Sequence, residues 1–183
     1  EQLVSDHALK ISKELTELWK KGVVENTYYN NDSKVDKLSY FPNISFSLKA
    51  ESYESAETIL NNLTIVKKGI AIYSIYPIGT LWLDRKHKTI HEKGISKSFV
   101  TIWTTKNNPT DELTKSQNDE ILELWNEGKI ENVYFDIEGT QKQNSKTDFV
   151  FYVNANNIEE AIATCESLPF FKENIKPNHY ENA

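Results

Sequence analysis

The feature that most constrains this chain is that it repeats itself. Leu18-Trp19-Lys20-Lys21-Gly22 falls on Leu124-Trp125-Asn126-Glu127-Gly128 at an offset of 106. The register continues, with Val24-Glu25-Asn26-Thr27-Tyr28-Tyr29-Asn30 on Ile130-Glu131-Asn132-Val133-Tyr134-Phe135-Asp136. After one gap the offset is 105, which sets Ile44–Leu48 on Phe149–Val153 and places Ala56, Leu63 and Ile70 on Ala161, Leu168 and Ile175. Self-similarity of this kind makes each copy a supersecondary unit that buries its apolar face against a neighbour. Each half, at about 90 residues, is near the lower end of comfortable independent folding, so a shared core is attractive.

The second copy is the easier one to read. Residues 99–106 are rich in β-branched and aromatic types that suit a strand. Pro109-Thr110-Asp111 offers a helix start, and Gln117, Ile121, Leu124 and Trp125 follow at helical spacing until Gly128 supplies a stop. Residues 130–138 and 147–155 read as strands. Ile158, Ala161, Ile162, Cys165 and Leu168 mark a helix ending at Pro169, and a last strand is expected near 175–181. The order is β-α-β-β-α-β, the split βαβ unit.

The first copy predicts the same helices, at about 6–21 and 53–63, and the three later strands, the last at Ile70–Tyr76. The equivalent of its opening strand would precede Glu1. That strand is central in such a unit, so something must satisfy the backbone groups beside it. Either the natural chain extends upstream, or Thr80–Asp84 turns back after Pro77-Ile78-Gly79 and fills the place as a circular permutation. The expected organisation is therefore residues 1–83 as a first ferredoxin-like unit, 84–98 as a linker carrying the basic run Arg85-Lys86-His87-Lys88, and 99–183 as a second unit.

Period-two alternation assigns the sheet faces. Val100, Ile102, Val133, Phe135, Ile137, Phe149, Phe151 and Val153 form an apolar set for the helix side. Phe99, Trp103, Asn132, Tyr134, Asp136, Val150 and Tyr152, with Asn26, Tyr28, Asn30, Ser45 and Ser47 from the first copy, mix aromatic and polar groups on the other side. Packing two such faces together would give an α+β pseudo-dimer with the sheets face to face as a barrel, and a cleft where a small-molecule ligand would sit.

The ordered series Leu124-Trp125-Asn126-Glu127-Gly128, Asp148–Asn154, Ile158-Glu159-Glu160-Ala161 and Leu168-Pro169-Phe170-Phe171 resembles the muconolactone isomerase family, small bacterial proteins of the dimeric α/β-barrel type. The resemblance covers about 80 residues of the second half and, more faintly, the first. It implies that two units join their sheets into a barrel, and that members isomerise a small unsaturated lactone by moving a proton without metal or organic cofactor. Where the family tends to place a basic residue late in the second strand, this chain has Phe135-Asp136.

Proton transfer needs a group whose pKa can be brought near ambient pH in a partly dry site. His179, Asp136 and Tyr134 are the catalytic candidates; Tyr28, Asn26, Asn132, Tyr152 and Trp103 are the ligand-binding candidates. Each has a plain alternative: His179 as a surface residue of a terminal strand, Asp136 as a solvated carboxylate, and the Tyr and Asn pairs as interface packing. His87 and His91 are four apart but surrounded by Lys and Arg, so no metal and no cofactor is expected. The remaining reading is a binding module of unassigned function, with self-association through the same faces as a further option.

Composition narrows the partners. A net charge of −6 and a pI of about 5.3 give no phosphate-tracking surface, so nucleic acid is not an expected partner. No apolar run approaches the ~18 residues of a membrane span. A soluble protein is expected, cytoplasmic or exported with a leader removed. The single cysteine, Cys165, sits among apolar residues at helical spacing and reads as a small buried hydrophobe.

Overall fold

The computed structural model describes residues 2–29, 44–85, 97–103, 109–135, 149–173 and 179–182. The chain divides into two compact units, one formed by Glu1–Tyr29 and Ile44–Tyr76, the other taking in Pro77–Ala183.

In the first unit, helix α1 (Gln2–Lys20) is stopped by Gly22 at φ 68, a left-handed position that favours glycine. The Gly22 N–H donates to the Trp19 carbonyl at 2.9 Å and the Val23 N–H to the Leu18 carbonyl at 2.9 Å, the paired bonds of a Schellman ending. Strands β1 (Val24–Tyr29) and β2 (Ile44–Leu48) pair antiparallel. Helix α2 (Tyr53–Asn62) starts with a capping box in which Ser52 and Ser55 each accept from the other's backbone N–H. The short helix α3 (Thr64–Lys67) has its first N–H and the Thr64 hydroxyl bonded to the Glu14 carboxylate at 2.8 and 2.6 Å. Desolvation opposes the charge on Glu14, but these bonds, with Lys10 and Lys67 nearby, outweigh it and hold its pKa below the usual value. Leu15, Leu60 and Leu63 form the core, with Leu18, Ile44, Phe46, Leu48, Tyr73 and Ile75 packed on it.

In the second unit the elements run β3 (Thr80–Leu83), β4 (Lys97–Trp103), α4 (Asp111–Asn126), β5 (Ile130–Phe135), β6 (Phe149–Ala155), α5 (Ile158–Glu166), α6 (Pro169–Lys172) and β7 (His179–Asn182). The strands form one antiparallel sheet in the order β3-β5-β6-β4-β7. Helix α4 is capped by Thr110 and ends like α1: Gly128 lies at φ 73, its N–H donates to Trp125 at 3.0 Å, and Lys129 donates to Leu124 at 2.9 Å. Phe99, Trp103, Ile121, Leu124, Ile130, Val133, Phe149, Phe151, Leu168 and Phe170 are all buried in one cluster between sheet and helices.

Several expectations are overturned here. The chain does not form two βαββαβ units closing a barrel. Among the described residues the first unit holds a two-stranded sheet, and the five-stranded sheet of the second is open, ending at β3 and β7. Residues 70–76 are not a strand. Their burial alternates with period two from Ala71 to Tyr76, as in an extended chain, yet they are part of no sheet among the described residues. Thr80–Leu83 does not complete the first unit either: it pairs with β5 at the outer edge of the second sheet, so the permutation idea fails. The faces of β4 are the reverse of those expected, because Phe99 and Trp103 lie in the helix-side cluster and Thr101 reaches Cys165 on α5. In a run as apolar as Phe-Val-Thr-Ile-Trp, both faces look alike and alternation cannot orient the strand.

Candidate functional site

Strand β5 carries a bulge that the alternation did not foresee. Asn132 lies at φ 49, and the pairing with β6 steps from Glu131↔Tyr152 to Tyr134↔Val150, leaving one extra residue on β5. Asn tolerates this left-handed conformation better than most side chains. Asn26 adopts the same φ of 49 on β1, where the pairing steps from Glu25↔Ser47 to Tyr28↔Ser45. The two short stretches match pair for pair, from the glycine ending of the helix through the bulge.

The residues put forward from the sequence are distributed as follows. Tyr134 is 5% exposed and lies between Val150 and Leu81. Tyr152 is buried opposite Val100 and Glu131, and Asn132 is fully buried beside them. Trp103 is fully buried on the helix side, its ring 6.1 Å from Phe151, with no hydrogen-bond partner for its indole N–H among the described residues. His179 is in β7 opposite Ile102, its side chain outside the described residues, and Asp136 lies wholly outside them. Asn26 and Tyr28 are half-buried on β1 in the first unit. Tyr134, Tyr152 and Asn132 thus share a stretch of β5 and β6, while Trp103 faces the other way. Burial pushes the Cys165 thiol up to about 12, with Thr101 Oγ1 3.5 Å away, so it stays protonated and packs as expected. Among the described residues no group of three or more His, Cys, Asp or Glu side chains is placed to hold a metal. A shallow depression on the outer face of α4, lined by Glu112, Lys115, Ser116, Asp119, Glu120 and Glu123, is a solvated charged surface.

The most developed local arrangement is one that sequence reasoning missed, the seat of β3. Beyond its pairing with β5, Trp82 packs edge-on against Phe135 at 5.9 Å, and Trp125 Nε1 donates to the Asp84 carbonyl at 2.7 Å. Arg85 Nε lies 3.1 Å from Glu131 Oε2, and Glu131 is only 1% exposed. A buried carboxylate needs such a partner. An extended segment is thereby held by a sheet edge, an indole and a carboxylate.

The first unit presents the matching pieces without that segment among the described residues. Trp19, the counterpart of Trp125, is 61% exposed. Glu25, the counterpart of Glu131, is 35% exposed at its side chain and paired instead with Lys49 at 2.5 Å. Further along, residues 72–75 carry no backbone hydrogen bond among the described residues, while Tyr73 and Ile75 pack on the same core as Ile44, Phe46 and Leu48 of β2.

No family model matches the chain, and no curated protein and no solved structure matches it significantly. The resemblance to muconolactone isomerase is thereby overturned together with the barrel it implied. With the barrel overturned, nothing among the described residues supports the cleft expected between its sheets, and the isomerase expectation falls with it. A run of matching residue types along one helix and two strands reflects a common local architecture, which carries no function of its own.

Proposed function

We propose that this chain is a polypeptide-binding module whose first unit completes its sheet by taking up an extended strand from another polypeptide. The observation that supports this most is the segment 72–75, which alternates in burial like a strand and contributes Tyr73 and Ile75 to the core, yet carries no backbone hydrogen bond among the described residues. A row of unpaired N–H and C=O groups is a template for strand addition, in which main-chain bonds supply affinity and alternate side chains supply specificity. The second unit indicates the chemistry that suits such a place. There β4 lies between β6 and β7, offering Phe99, Thr101 and Trp103 to the helices. The strand taken up by the first unit is therefore one with aromatic or β-branched residues at alternate positions. Exposed large apolar residues also gather in the first unit, at Leu9, Trp19, Tyr53, Ile72 and Tyr76.

The test is a titration with a synthetic peptide of residues 97–103, read by residue-resolved amide exchange. Protection should appear at Ile72–Ile75 and along β2. Amides of 72–75 that already exchange slowly in the protein alone would contradict the reading, as would a peptide that protects neither segment at millimolar concentration. Protection that grows with protein concentration and without peptide would make a second copy the donor.

A further inference from the structure

We infer that this chain associates with a second copy of itself through two helix faces of opposite charge, the outer face of α1 in one copy docking on the outer face of α4 in the other. The inference goes beyond the strand uptake proposed above and rests on neither segment 72–75 nor the sheets.

Helices α1 and α4 are counterparts in the repeat, and where they face the core they agree. Ile11, Leu15 and Leu18 are matched at the offset of 106 by Gln117, Ile121 and Leu124, each of them buried or half-buried. On the outside the two helices part company. Lys13 stands where α4 has Asp119, and Lys21, just past the end of α1, stands where the second copy has Glu127. Core packing asks only that outer positions be polar, so it does not account for a reversal of sign.

On α1, Leu9, Lys13, Thr16 and Lys20 follow at i, i+4, i+7 and i+11 and share one face, with Trp19 at its side. Leu9 is 90% exposed and Trp19 61%. The acids of this stretch are engaged: Glu14 accepts from Thr64 at 2.8 and 2.6 Å, and Glu17 pairs with Lys20 at 3.4 Å. Lys13 and Lys21, both exposed, stand in no ion pair among the described residues. On α4, Glu112, Ser116, Asp119 and Glu123 repeat that spacing around the shallow depression, and Leu122 lies at its side, 40% exposed. The ammonium of Lys115 lies 3.9 Å from Asp119, which leaves the carboxylates of Glu112, Glu120 and Glu123 in excess. Apolar side chains on such faces supply affinity, and opposed charges decide which face meets which. A second copy is the occupant because the chain itself carries the acidic complement of its basic helix, and both faces are exposed. A net charge of −6 acts against an anionic membrane in that place. Made twice about a two-fold axis the contact closes a dimer, and made once per copy it propagates.

The test is sedimentation of the protein alone from micromolar to millimolar concentration. Mass should rise with concentration at low ionic strength, and association should weaken about tenfold or more in about 1 M salt, where charges are screened beyond about 3 Å. Lys13→Glu with Lys21→Glu, or Asp119→Lys with Glu123→Lys, should each weaken association about tenfold, from two exposed pairs at about two- to fivefold each. An equimolar mixture of the two variants should associate again, because the acidic α1 of one then meets the basic α4 of the other. That recovery needs both variants folded, so it separates a lost contact from a lost fold. A chain that stays monomeric at millimolar concentration and low ionic strength would overturn the inference, as would association that the reversals leave intact or a mixture that stays apart. Monomers that bind phosphatidylserine vesicles through Lys13 and Lys21 without self-association would give the α1 face to a membrane and overturn it too. The peptide titration at 72–75 uses neither helix face, so either proposal can fail without the other.

Discussion

The two halves of this chain put nearly the same stretch of sequence to different use. From helix ending to bulged strand, Leu18–Tyr29 and Leu124–Phe135 share their hydrogen bonds, their left-handed asparagine and their strand register. Yet Trp125 is half-buried and bonded to a passing strand, while Trp19 stands in solvent. Local sequence thus sets the backbone of the stretch, and the fate of its side chains is set by what lies next to it. In the second unit β3 lies on one side of the β5–β6 pair and β4 with β7 on the other. The first unit has only β1 and β2 in its sheet among the described residues.

The sharpest way to break this comparison is to remove tryptophans in turn. Trp103→Ala, in the fully buried core of the second unit, should destabilise by about 3–5 kcal/mol in denaturant melts. Trp19→Ala should stay within about 0.5 kcal/mol, as for a surface site. Equal losses at the two positions would mean that the first unit is as complete as the second. The ion pairs give a smaller contrast of the same sense. Arg85→Ala strips a partner from a carboxylate that is 1% exposed and should cost about 3 kcal/mol, against less than about 1 kcal/mol for Lys49→Ala at the exposed Glu25 pair.

A pH scan sharpens the comparison further when the chain is set against its Cys165→Ala variant, because the difference between the two reads the second unit alone. The Cys165 thiol is raised from 9.0 to about 12 in the folded chain, so above about pH 9 unfolding releases a proton that the folded state keeps. The contribution is fully present below pH 9.0 and fades as pH rises toward 12, by up to about 1.4 kcal/mol per pH unit. Cys165→Ala should remove that slope. A variant that keeps the full slope would show that Cys165 is not the group responsible.

Much of this architecture was legible in the sequence, in uneven parts. Both long helices of the second unit follow from apolar spacing closed by Gly128 and Pro169, and Cys165 is buried as its neighbours imply. The bulge escaped because Glu-Asn-x-Tyr looks like ordinary alternation, and only a positive φ at the asparagine flips its parity. The orientation of β4 escaped because both of its faces are apolar. Thr80–Leu83 reads clearly as a strand, but its side chains do not say which edge it will pair with. Of the candidate site, Tyr134, Tyr152 and Asn132 share a stretch of β5 and β6, while Trp103 was set on the wrong face because a face read from alternation inherits any error of strand orientation. What did point to the first unit was the missing opening strand, which the sequence shows as a gap beside the expected strand Ile70–Tyr76.

Amide hydrogen exchange of the free protein tests the central claim most directly, comparing Ile72–Ile75 with Val100–Ile102 of β4. The account predicts exchange at 72–75 near the rate of an open chain, and protection by orders of magnitude in β4, which is bonded on both sides to β6 and β7. Comparable protection in the two segments would show that 72–75 already has its partner, and would contradict the claim that the first unit is a sheet awaiting a strand.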